Sequence, residues 1–143
     1  MHFPPGHEEE DYCYLTTIGR SSREPRTIEI WFALAADVVY MLSGGGDAAQ
    51  WVRNLRRNRH VEIRIARISC RGRARIVRAA DESAQARRLL LAKYRPRTGR
   101  YRHWSGDVER WASASEAVVV AVELDDELSS DPAERVALTD TAR

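Results

Sequence analysis

The sequence predicts an α+β protein, an antiparallel sheet or barrel with helices packed on it, and three observations lead there. The chain has 143 residues, 43% of them hydrophobic, which suits one compact core hiding about two-thirds of the unfolded surface. Segments of period two outnumber helical ones, giving about six strands and two or three helices. Their order, β-β-β-α-β-β-α-β, lacks the alternation of βαβ units that builds parallel sheets. Residues 1–143 are therefore expected to form a single domain, with 1–11 and 126–143 peripheral or flexible.

Each segment has its own reason. Tyr12 to Ile18, YCYLTTI, is aromatic and β-branched and reads as a strand, ended by the Gly-, Ser- and Pro-bearing GRSSREPR. Thr27 to Ala35 alternates Ile28, Ile30 and Phe32 against Glu29 and Trp31, as one strand with a buried face would. Val38 to Leu42 completes a hairpin with it. After Ser43-Gly44-Gly45-Gly46, Asp47 is placed to cap a helix whose apolar residues Ala48, Trp51, Val52 and Leu55 recur at helical spacing, with Asn58 near its end. Val61 to Ile65 alternates with Glu62 and Arg64 outward, and Ile68 to Val77 interleaves Arg71, Arg73 and Arg75 on a face expected to meet water or an anion. Asp81 to Tyr94 forms the second helix, with Asp81 available as a cap. Arg95 to Gly106 is a basic loop, Asp107 to Ala112 a helical turn, and Ala117 to Leu124 a buried strand; the acidic remainder reads as a helical turn or frayed tail.

Charge is segregated although the net is only +2. Of 23 basic residues all but Lys93 are Arg, a side chain that grips carboxylate or phosphate as a rigid fork. Arg53 to Arg78 holds ten Arg and one acid, Glu62, whereas from Glu116 onward eight acids face two Arg. Such a centre suits an anionic ligand, nucleic acid, or pairing with the chain's own acids. The start, MHFPPGHEEED, lacks the apolar stretch of a secretory signal, and the longest apolar run, Ala117 to Val122, is too short to span a bilayer, so a cytoplasmic protein is expected. Cys13 and Cys70 form neither a disulfide framework nor a zinc pattern and are expected reduced and packed in strands; the four His show no metal-ligand spacing.

Two turns carry chemistry. Gly19 to Arg26 gathers three guanidinium groups and two hydroxyls, either a phosphate grip or a solvated hairpin turn. Ser43 to Asp47 precedes a helix, where backbone donors and the helix dipole favour an anion and glycines let a planar ligand approach the main chain. Neither a GxGxxG fingerprint nor a P-loop is present, which disfavours a Rossmann or Walker site.

The run YLTTIGRSSREPRTIEIWFALAADVVYMLSGGGDAAQWVRNLRRNRHVEIRI, from Tyr14 to Ile65, resembles the core of the deazaflavin-dependent oxidoreductase (nitroreductase) family. That family is related to the flavin-binding split β-barrels that include pyridoxamine-phosphate oxidase. The resemblance rests on T-x-G-R-x-[ST]-G-x-P-R, a strand pair, S-x-G-G, and W-x-x-N-L-x-x-N-P. It implies a split barrel, hydride transfer from a reduced deazaflavin, coenzyme F-420, with FMN as the alternative, and a cofactor cleft at a homodimer interface. The substrate would be a small electrophile such as a quinone, nitro compound or activated alkene. Carried over by position, Arg20, Ser21, Ser22 and Arg26 would hold the phosphate-bearing tail, Ser43, Gly44 and Gly45 would lie near the ring, and Trp51 and Asn54 on the helix that follows would also bind the cofactor, with packing as the other role of Trp51.

Three positions depart from the pattern. Arg23 stands where the motif has Gly, Ser21 where it commonly has a basic residue, and Asn58-Arg59 replaces Asn-Pro. Arg23 is placed to restore the charge missing at Ser21. The N-terminal extension is short and acidic, so the substrate-covering helix of some members is expected to be absent. Tyr40, Tyr94 and Tyr101 are candidate proton donors or substrate holders, each with aromatic packing as the plainer role. No catalytic dyad is evident, and none is needed where the cofactor carries the hydride. The competing function is a non-catalytic binder of a flavin, haem-derived or lipid ligand on the same scaffold. Nucleic-acid binding through Arg53 to Arg78 ranks third, because that stretch spans a helix and two strands with few aromatics for stacking.

Overall fold

The computed structural model describes residues 3–100 and 106–129. Among them seven strands form one sheet: β1 Cys13–Ile18, β2 Pro25–Ile30, β3 Ala33–Ala35, β4 Val38–Ser43, β5 His60–Ile65, β6 Ile68–Ile76 and β7 Val118–Ser129. The α-helices are α1 Gln50–Arg57, α2 Ala80–Tyr94 and α3 Val108–Ser113. The strand order is β2-β1-β5-β6-β7-β4-β3, and every neighbouring pair is antiparallel.

That order forces curvature. The two edge strands, β2 and β3, are separated in sequence only by Trp31 and Phe32. A flat sheet of this width would hold its edges about 29 Å apart, from six spacings of about 4.8 Å, but the three chain steps from Ile30 to Ala33 reach about 11 Å at most. The sheet therefore curls until its edges approach, giving the α+β split barrel that the sequence predicts. The expected strand Thr27 to Ala35 is thus two strands, because the chain leaves one edge and enters the other. Tyr94 pins this corner. Its hydroxyl accepts from the Phe32 N–H at 2.9 Å and donates to the Asp11 carbonyl at 2.7 Å, while Trp31 stacks on its ring at 4.3 Å.

Alternation sorts side chains into two cores. Val39 and Met41 of β4 and Val120 and Val122 of β7 point into the barrel with Leu15, Phe32, Ile63 and Ile65. Tyr40, Leu42, Val119 and Ala121 point outward, beneath Ala86, Leu90 and Tyr94 of α2 and Val108 and Ala112 of α3. The run Ala117 to Val122 is continuously apolar because it is covered on both faces. Of the N-terminal segment expected at the periphery, residues 3–11 lie along the barrel: Phe3 is buried in its core, and Arg97 bonds to Glu9 and Asp11. At the other end β7 runs on past the expected Leu124 to Ser129.

Several local expectations are corrected. Asp47 does not cap α1; the helix starts at Gln50 after a 3-10 turn, and Asp47 pairs with Arg56 at 3.0 Å. Asp81 sits inside the first turn of α2 rather than at its cap. Asp107 does cap α3, accepting from the N–H groups of Glu109 and Arg110. Glu62, expected in water, is only 8% exposed. Gly72 is demanded by the bulge between β6 and β7, where a Cβ would lie 2.8 Å from the Glu123 carbonyl oxygen. Cys13 and Cys70 are free thiols buried in strands, and burial pushes them up to about 12 and about 11.

Candidate functional site

The β1–β2 hairpin turn closes on itself. Gly19 donates to the Glu24 carbonyl at 2.8 Å, and Arg23 donates to the Gly19 carbonyl at 2.8 Å. A Cβ on Gly19 would fall 2.5 Å from the Ser22 hydroxyl and 3.3 Å from the Glu24 carbonyl oxygen, so a larger residue there would push the Ser22 side chain out of its place in the turn. Arg23, standing at the motif's glycine position, has φ +62°, the left-handed conformation that glycine adopts most easily.

Between this turn and α1 lies an open cleft of about 540 Å³. Gly19, Arg20, Ser21, Ser22 and Arg26 form its turn side, Thr17, Thr27 and Ile28 its strand side, and Gln50, Trp51 and Asn54 its helix side. Six of the ten residues singled out in the sequence are therefore brought together here. Gln50, Thr17, Thr27 and Ile28 were not anticipated; Gln50 was readable only as the residue one helical turn before Asn54.

Asn54 organises the cleft. It is 5% exposed, and its Oδ1 accepts from both the backbone N–H of Arg20 at 3.2 Å and the guanidinium Nη1 at 2.8 Å. Its Nδ2 donates to Thr17 Oγ1 at 3.4 Å, and Gln50 Oε1 accepts from the other arm, Nη2, of Arg20 at 2.7 Å. Arg26 reaches Ser22 Oγ at 3.3 Å. No carboxylate lies within ion-pair distance of Arg20 or Arg26 among the described residues. Both guanidinium groups are thus oriented by neutral partners and keep their charge, which suits phosphate or carboxylate.

The other candidates sit elsewhere. Arg23, Ser43, Gly44 and Gly45 are outside the cleft lining. Ser43 is buried and donates to the Gly46 carbonyl at 3.0 Å, while Gly44 and Gly45 are exposed. Gly46 has φ +62°, and a Cβ there would meet the Glu116 carbonyl oxygen at 2.5 Å, so this turn also aims α1. Arg75, expected to face water or an anion, is neutralised by Glu82 and Glu123, each at 2.7 Å. Hydrogen bonds from Arg75, then from Tyr40, hold the Glu82 carboxyl down at about 2. Burial, then the bond to Glu82, pushes Tyr40 up to about 12. Tyr94 is fully buried at the corner, and Tyr101 lies outside the described residues. Among the described residues there is no cluster of His, Cys, Asp and Glu suited to a metal ion, and no helix is long and apolar enough to cross a membrane.

A curled antiparallel sheet of this order, with a charge-retaining cleft between its first hairpin and first helix, defines a split-barrel protein. The family model described as F-420H(2)-dependent quinone reductase matches residues 6–121, and the chain belongs to that family of deazaflavin-dependent oxidoreductases. No curated protein matches the chain. Among solved structures it is similar to an F-420 reductase at 20% identity and TM-score 0.62, over 90% of this chain and 100% of that one. It is similar to a putative pyridoxamine 5'-phosphate oxidase from Listeria innocua at 15% identity and TM-score 0.61, over 86% and 90%. A haem storage protein of Vibrio cholerae, HutZ, aligns at 13% identity and TM-score 0.62, over 90% and 94%. At these identities the likenesses establish the split-barrel fold.

Proposed function

We propose that the chain binds the phosphate-bearing tail of the reduced deazaflavin coenzyme in the cleft between the β1–β2 turn and α1 and reduces a quinone by hydride transfer. The observation that carries this reading is the pair Arg20 and Arg26, oriented by amide and hydroxyl partners and left with unneutralised charge. Ser21, Ser22, Thr17 and Thr27 line the same cleft and add hydroxyl donors for phosphate oxygens, and Arg23 adds charge from the neighbouring position. When bound, the coenzyme supplies the hydride. Trp51 shields one wall of the cleft with an apolar surface, and Ser43, Gly44 and Gly45 remain the proposed approach to the ring, where the absence of side chains on the glycines leaves room for a flat system. Among the described residues the cleft lining holds no acid, His or Tyr, as fits a place for the tail and not for the reacting atoms; the proton that completes the hydroquinone is proposed to come from solvent. A second copy of the chain is part of this reading, since the cleft is open on one side and the edge strand β2 is exposed along most of its length.

The test is a fluorescence titration with coenzyme F-420, followed by turnover of menadione with the reduced coenzyme. Binding at micromolar protein with menadione reduction is the expected outcome; FMN binding in place of the deazaflavin replaces the cofactor but keeps the reductase. Binding of neither overturns the reading. The second reading, a binder without turnover, is favoured by the altered turn, with Ser21 at the motif's basic position and Arg23 at its glycine position. It predicts ligand binding with no reduction of menadione or a nitroaromatic compound.

A further inference from the structure

Arg20 differs from Arg75 and Arg97 in what anchors it; Arg87 is also held by neutral acceptors, the carbonyls of Ala112, Ala114 and Ala117, but it stands outside the cleft. Arg75 is gripped by two carboxylates and Arg97 by Glu9 and Asp11, so each is neutralised where it stands. Arg20 has equally short bonds, 2.8 Å to Asn54 and 2.7 Å to Gln50, but both acceptors are amide oxygens. An amide fixes direction without cancelling charge. Had either been the isosteric acid, the same geometry would make an ion pair, and an incoming anion would have to compete with a covalently tethered carboxylate.

Asn54 itself has little left to offer a ligand. It is 5% exposed; its oxygen already accepts two N–H groups of Arg20, and its nitrogen donates to Thr17. Because one of those N–H groups is the Arg20 backbone, Asn54 also locks the turn to α1, so that the guanidinium and the turn hydroxyls face the same cleft.

We propose that Asn54 and Gln50 are positioning residues, an amide clamp that aims Arg20 while preserving its charge, and that amide rather than carboxylate at these two positions sets the cleft's selectivity for a phosphorylated over an unphosphorylated ligand. The proposal rests on the cofactor reading above for the identity of the ligand, and it replaces direct cofactor contact as the role of Asn54.

The experiment compares the wild-type protein with Asn54→Asp and Gln50→Glu, which keep shape and add a negative charge; in Asn54→Asp the Thr17 hydroxyl must turn to donate where it now accepts. Affinity is read for coenzyme F-420 and for the deazaflavin nucleoside that lacks the phosphate, and the rise in melting temperature with inorganic pyrophosphate is read independently. Each variant is expected to melt no lower than wild type, to lose about tenfold or more in affinity for the phosphorylated coenzyme, and to bind the nucleoside as wild type does. Its affinity for the coenzyme should also fall less steeply with added salt, since one attractive charge is gone. General damage to the cleft would weaken both ligands alike, and that result overturns the clamp. Undiminished coenzyme affinity in Asn54→Asp also overturns it. If pyrophosphate stabilises the wild type but not Asn54→Asp while the coenzyme binds neither, the clamp stands and the cofactor reading falls. If pyrophosphate stabilises neither and the coenzyme does not bind, both fall.

Discussion

Arg75, beneath α2, and Arg20, beside α1, are anchored to opposite ends. Under α2, Arg75 joins Glu82, Glu123 and, through Glu82, Tyr40, tying the helix to β4, β6 and β7 with charges that cancel. Beside α1, Arg20 ties helix to hairpin through Asn54 and Gln50 with its charge intact. The same geometry therefore serves cohesion on one side and leaves a cation for a ligand on the other. What separates them is the acceptor: a carboxylate repays the guanidinium's charge internally, and an amide leaves it to the ligand.

The largest test of this contrast is Arg20→Ala. It should weaken coenzyme binding about a hundredfold, on the order of 2.7 kcal/mol, with a melting temperature close to wild type; a large thermal loss with binding retained would reverse the comparison. Next is Arg75→Ala, expected to cost about 1–2 kcal/mol in chemical denaturation because a half-buried network loses its cation, with coenzyme affinity unchanged. The same network predicts a pH effect. Glu82 is held at about 2 against an ordinary 4.5, so in the folded state it stays ionised where the unfolded chain has taken up its proton. Its stabilisation is present above about 4.5 and is lost as pH falls from there through about 2. Glu82→Gln should show a shallower acid loss than wild type across that window; parallel curves would remove Glu82 from the acid transition. The smallest effect is Arg23→Gly. Relief of the left-handed backbone should add about 0.5 kcal/mol, while coenzyme affinity falls only a few-fold. A tenfold loss would place the Arg23 guanidinium directly on the tail.

Much of the fold was legible because alternation and helical spacing are local. Five of the seven strands and both longer helices fall within a few residues of where their patterns place them. The corner at Trp31 and Phe32 was not legible, because alternation runs through it unbroken while hydrogen bonding passes from β1 on one edge to β4 on the other. The helix caps failed for a related reason: Asp47 has a capping side chain, yet Arg56, one face away on α1, competes for it. Glu62 alternates as a solvent-facing residue should, and only the sheet around it decides that it is covered.

In the site, the turn was readable because its glycine, hydroxyls and arginines are consecutive. Gln50 was not, since a polar residue at a helix start has many ordinary roles and acquires this one only from Arg20, thirty positions away. Asn54 was read as a ligand residue, and the structure gives all its bonds to the protein.

The sequence by itself determined the α+β class, the family, and the run of residues that forms the β1–β2 turn, since each rests on contacts or spacings within a few residues. Tertiary structure alone decided which arginines are spent and which remain charged. A guanidinium carries the same charge wherever it lies in the chain, and whether that charge is available depends on whether folding brings it an amide or a carboxylate.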